Sequence, residues 1–162
     1  MPRLFFSVLA ALMVASLVPA PAGAASGLWA TVNRCDPPAK PHSMGVRASM
    51  PGDRRARRMY MRFRVQYWSP GHGGWRPVTG AGVSPWVYAG PARVRSDQEG
   101  WTFAFEKPPP GTAFRMRGIV DFKWTRRRRR VVKRRRAVTR AGLSGVDAGD
   151  PPGTSLASCL IA

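Results

Sequence analysis

Negative charge is scarce in this sequence. Eight Asp and Glu residues stand against 27 Lys and Arg in 162 positions, a formal net charge of +19. There are only two histidines and two cysteines. Paired-carboxylate acid–base catalysis and metal sites built from clustered Asp, Glu, His and Cys both draw on these scarce residue types. No CxxC pair and no zinc-ligand spacing occurs. Helical periodicity is missing as well. After about residue 25 no window sustains apolar residues at i, i+3 and i+4. Past that point no apolar run approaches the roughly 20 residues that a membrane-spanning helix needs.

The one long apolar run opens the chain. Arg3 supplies a positive start, residues 4–18 are uncharged and apolar, Pro19 and Pro21 break the run, and Ala22-Gly23-Ala24 offers small residues for cleavage. This is the pattern of a signal peptide over residues 1–24. The expectation is a secreted or cell-envelope protein whose residues 25–162 form one domain with no transmembrane segment. The first cysteine is Cys35, too far from the apolar run for a lipid anchor. Export places Cys35 and Cys159 in an oxidising compartment, where a pair near the two ends of a domain forms a disulfide. It would join the first strand to the last.

Gly and Pro, 17 and 16 in number, punctuate the chain every few residues. Between them lie short alternating segments, which predict an all-β, antiparallel two-sheet sandwich. Strands are expected over residues 28–33, 44–50, 59–68, 75–78, 86–89, 92–95, 101–105, 114–124 and 155–161. The third and the longest alternate most cleanly. Met59, Met61, Phe63, Val65 and Tyr67 share one face, with Arg62, Arg64 and Gln66 opposite. Phe114, Met116, Gly118, Val120, Phe122 and Trp124 share a face, with Arg115, Arg117, Asp121 and Lys123 opposite. The expected central core is Phe63, Val65, Phe103, Phe114, Val120 and Phe122, with Trp101 and Trp124 also facing inward. Asp121, set among arginines, should pair with one of them across strands.

The basic residues fall into two runs. Arg54, Arg55, Arg57 and Arg58 follow Asp53. Arg126, Arg127, Arg128, Arg129 and Arg130 lead through Val131 and Val132 to Lys133, Arg134, Arg135 and Arg136. The second run reads as a hairpin with its turn among the five arginines. Guanidinium forks match phosphate, sulfate and carboxylate geometry. The partners this implies are anionic surface polymers or extracellular nucleic acid, bound without sequence selectivity. Of the 27 basic residues 23 are Arg, and a GC-rich coding sequence produces the same skew, so charge alone does not make a site.

Other chemistry is thinly represented. His42 and His72 lie in Pro/Gly-rich loops and carry the alternative of an enzyme with an unrecognised site. Asp147 and Asp150 offer a hard cation too few oxygens and suit a turn. No cofactor and no metal is implied. Trp68, Trp75 and Trp86 flank loops and carry the second alternative, a polysaccharide-binding face. The expected function is a non-catalytic binding or structural module.

Two segments, FRVQYWSPGHGGWRPV (residues 63–78) and PPPGTAFRMRGIV (residues 108–120), carry a resemblance. They are similar to the central strand with its following short strand, and to the turn opening the penultimate long strand, of fibronectin type III and related immunoglobulin-like domains. The resemblance implies a two-sheet sandwich. Phe114 stands where that family carries a tyrosine whose hydroxyl bonds back to the backbone.

Overall fold

The computed structural model describes residues 27–162. The expected signal peptide, residues 1–24, lies outside the described residues. The described residues form nine strands: β1 (Trp29–Cys35), β2 (Ser43–Pro51), β3 (Arg58–Ser69), β4 (Gly74–Pro77), β5 (Val87–Pro91), β6 (Ser96–Ala104), β7 (Phe114–Thr125), β8 (Val131–Val138) and β9 (Cys159–Ile161). Among the described residues no helix is long and apolar enough to cross a membrane.

The strands form two antiparallel sheets. One has the order β1-β2-β6. The other is built on β3 and β7, which pair along nearly their whole lengths, from Arg58 opposite Thr125 to Tyr67 opposite Met116. On the free side of β3, β5 pairs with its start and β4 with its end. Along the far side of β7, β8 covers Ile119 to Thr125 and β9 covers Phe114 to Met116.

Alternation explains the core. Met44, Val46, Ala48 and Met50 of β2, Met59, Met61, Phe63 and Val65 of β3, and Val120, Phe122 and Trp124 of β7 are buried against one another. Val46 of β2 packs directly against the backbone of Gly118 in β7. A β-carbon there would sit 2.8 Å from Val46 Cγ2 and from Thr139 Cγ2, so only glycine fits. The indole N–H of Trp124 donates to the Pro51 carbonyl at 2.9 Å, tying β7 to the end of β2.

The exposed edge of β1 is covered by the chain after β8. Val32 and Leu156 exchange backbone hydrogen bonds, Arg140 N–H donates to the Ala30 carbonyl, and Asp150 N–H donates to the Asn33 carbonyl. This segment blunts an edge that would otherwise pair with other chains. Cys35 and Cys159 are bonded, with α-carbons 5.2 Å apart, and the bridge links β1 of one sheet to β9 of the other.

Three expectations need correction. Phe114 faces inward but is 38 % exposed, because it lies at the very start of β7, where the opposite sheet no longer covers it. Instead it lines an open apolar groove of about 560 Å3 with Tyr67, Phe105 and Met116. Trp101 is 37 % exposed, because β6 is the outer strand of the smaller sheet and has no neighbouring strand on its far side in that sheet. Residues 92–95 make a turn between β5 and β6, with Val94 N–H bonded to the Pro91 carbonyl. Gly90-Pro91 therefore closes β5 instead of dividing two strands.

Candidate functional site

The antiparallel register of β3 and β7 decides where the basic runs meet. Arg58 begins β3 and lies opposite Thr125, the last residue of β7. The residues before β3 and after β7 must therefore emerge at the same end of the sandwich. Arg57 N–H donates to the Thr125 carbonyl at 2.7 Å, and the Arg126 Nε–H donates to the Arg55 carbonyl at 2.7 Å. Here Arg57, Arg58, Arg126, Arg127, Arg128 and Arg129 surround a depression of about 490 Å3, with Thr125 as its other lining residue. Six arginines thus line one concavity, and no Asp or Glu is among its lining residues. A second depression, of about 530 Å3, shares Arg57 and Arg58 and continues to Tyr88, Pro91 and Arg93.

The hairpin is as expected in outline, but its arms lie within the larger sheet, and only its tip extends past the strands. Arg126 N–H donates to the Arg130 carbonyl at 2.8 Å, closing the loop. Arg128 and Arg129 occupy the turn with φ of 55° and 58°. A turn with two successive positive-φ residues favours Asn-Gly, whereas a residue that is neither Gly nor Asn or Asp costs about 1–2 kcal/mol in that conformation.

The basic residues of the return strand do not act as one patch. Alternation sends Arg134 and Arg136 to the outer face, and Lys133 and Arg135 to the inner side of the sheet edge. Lys133 Nζ lies 3.7 Å from Asp53 Oδ2 and 4.7 Å from the Trp124 ring centre, so it is engaged within the fold. Arg136 Nε–H donates to Asp121 Oδ1 at 2.8 Å. Arg54, Arg130 and Arg135 are exposed.

The outer face of the larger sheet carries a second cationic system. Asp121 is bonded to three arginines at once: Arg64 at 2.9 Å, Arg136 at 2.8 Å and Arg62 at 3.4 Å. Around this carboxylate the cations lie over rings. Lys123 Nζ is 3.8 Å from the Trp86 ring centre and 5.1 Å from that of Tyr60. The Arg62 guanidinium is 4.8 Å from Trp86, and that of Arg117 is 4.3 Å from Trp75. Such pairing holds the guanidinium planes in place. Burial lowers the pKa of Lys123, and the charges of Arg134, Arg62 and Arg129 push it the same way. Burial also lowers Arg117.

The three tryptophans proposed as a sugar platform do not present three open faces. Trp75 and Trp86 have cations over their rings. Trp68, 38 % exposed, meets Trp75 edge-on at 72°. The histidines are separate from this end. His72 Nδ1 shares a hydrogen bond with Ser69 Oγ at 2.9 Å in the turn after β3. His42 uses its backbone N–H to donate to Asp36 Oδ1. Asp147 pairs with Arg47 at 3.5 Å instead of capping its own turn. Among the described residues no group of three His, Cys, Asp or Glu could hold a metal ion.

No family model, curated protein or solved structure matches the chain. Sequence reading missed Tyr88, Arg93, Arg62, Arg117 and Lys123 as parts of a cationic–aromatic surface. The alternation of Arg and Lys along the polar faces of β3 and β7 was the available signal.

Proposed function

We propose that the protein is a non-catalytic, secreted or cell-envelope binding module for polyanions, on a fibronectin type III-like or immunoglobulin-like sandwich. The observation that carries the reading is the single depression in which Arg57, Arg58 and Arg126–Arg129 converge without a carboxylate. Two basic runs far apart in sequence do not meet by composition alone. Arginines in turn positions that favour Asn and Gly support the same reading, since local strain gathers where function requires it. The disulfide and the apolar N-terminal run favour export. The segments that resemble the family's central strand, short following strand and penultimate strand fall in β3, β4 and β7, and the adjacency of these strands in the order β4-β3-β7 supports the reading.

Binding of sulfated and phosphorylated polymers at two salt concentrations tests the reading. Affinity should fall as a power of salt, because each anionic group engaged releases about one counterion. Neutral glycans should not bind. Salt-independent binding of a neutral glycan would instead favour the tryptophan-based alternative.

The turn supplies a second test. Replacing Arg128 by Asn and Arg129 by Gly should raise stability by about 1–2 kcal/mol, since the new residues relieve the left-handed strain. It should weaken polyanion binding at the same time. Denaturant midpoints and binding isotherms measured on one preparation check both signs. Unchanged affinity in a stabilised variant would count against a site at the tip.

A further inference from the structure

The second depression has a feature that a general polyanion site does not need. An extra residue in β5, Ala89, falls between the pairs Met59–Gly90 and Tyr60–Tyr88. Such a bulge re-aims the neighbouring side chains. Tyr88 is 50 % exposed and lies beside Arg57, Arg58 and Arg93. Its ring meets Tyr60 at 5.5 Å, tilted by 58°. No cation lies over Tyr88 among the described residues, in contrast to Trp75, Trp86 and Tyr60. Tyr88 is thus a half-exposed ring with no cation over it, lining a depression shared with three arginines.

The polar chemistry of the lining narrows the ligand. Arginine only donates hydrogen bonds, so it suits groups that only accept, such as phosphate or sulfate. Neither of the two joined depressions is lined by Asn, Gln, Asp or Glu, the side chains that accept hydrogen bonds from sugar hydroxyls. A flat aromatic ring beside phosphate donors is the arrangement that takes unpaired bases, because every base has a π face. A duplex offers its phosphates but keeps its bases stacked.

We infer that this end of the sandwich binds single-stranded nucleic acid without sequence preference, a base stacking on Tyr88 while Arg57, Arg58 and Arg93 hold the adjacent phosphates. The inference rests on the polyanion reading and names its ligand class. The strand would continue across the shared Arg57 and Arg58 into the depression of the hairpin tip.

The test uses the full chain, a fluorescent oligodeoxythymidylate, a duplex of equal length and a heparin oligosaccharide. Tyr88→Ala should weaken binding of the single strand at least about fivefold. It should leave the duplex and heparin affinities unchanged, and Tyr88→Phe should bind like the parent. Circular dichroism of each variant controls for folding. Equal single-strand affinity in parent and Tyr88→Ala would overturn the inference while leaving the polyanion reading in place. So would a Tyr88→Ala loss that is the same for all three probes, or heparin binding that alone depends on the ring. Failure of the parent to bind any of the three at low salt would overturn both.

Discussion

Val120→Asp is expected to abolish the cooperative unfolding transition. Val120 is fully buried at the middle of β7, with Phe63 of β3 on one side and Ala137 of β8 on the other. A carboxylate there meets no donor and no cation on the core side. Burying an unpaired charge costs several kcal/mol even after relaxation. A fold of this size is held by about 5–15 kcal/mol, so most of that margin disappears. Phe114→Asp on the same face of the same strand is the informative control. That side chain opens to solvent, so the variant should keep a transition close to the parent's. Denaturant titration followed by tryptophan fluorescence separates the two. A Val120→Asp protein that unfolds at the parental midpoint would mean that β7 does not face the way described.

Asp121→Ala should be the next most damaging change. The carboxylate is the shared partner of Arg62, Arg64 and Arg136, and its side chain is only 13 % exposed. Removing it leaves three guanidinium groups and nearby Lys123 facing one another. Breaking a buried ion network costs about 3–5 kcal/mol. The arginines here remain 30–60 % exposed, so solvent screening reduces the expected loss to about 2–3 kcal/mol. Added salt should restore part of it by screening the repulsion. Polyanion affinity should rise in the same variant, because the face loses the carboxylate that neutralises Arg62, Arg64 and Arg136. Thermal unfolding across a salt series, with binding measured alongside, checks both effects. A variant as stable as the parent at low salt would show that Asp121 does not balance these arginines.

The strands were legible because alternation reports the direction of a side chain. It does not report depth. Phe63 and Phe114 follow the same period, yet one is at the centre of the sheet and the other beyond the cover of its partner. Trp101 shows the same thing at a sheet edge. Residues 92–95 read as a strand because Val94 sits between arginines, but the 91–94 turn overrides so short a pattern. The disulfide was legible because only two cysteines exist, one towards each end of residues 25–162. The basic runs were legible as runs. Their meeting was not, because it depends on β3 and β7 pairing in full antiparallel register, so that the start of one meets the end of the other. The outer-face pairs needed the same information. Lys123 reaches Trp86 and Tyr60, and Arg117 reaches Trp75, only once β4, β5 and β7 are laid beside β3. Tyr88 depends on a bulge, which alternation does not reveal.

The most direct test of the arginine-lined end compares two variants of equal charge. In one, Arg126, Arg127, Arg128, Arg129 and Arg130 become Ser. In the other, five exposed cations outside the depressions, Lys40, Arg76, Arg95, Lys107 and Arg140, become Ser. Both should fold, since all ten side chains lie outside the core. The measurement is the dependence of polyanion affinity on salt. The tip variant should lose far more affinity at low salt and show a flatter log–log slope, by about 0.7–0.9 for each anionic contact removed. The control should stay near the parent in both. Equal losses and equal slopes in the two variants would mean that the protein's charge attracts polyanions as a whole, and that the converging arginines form no site.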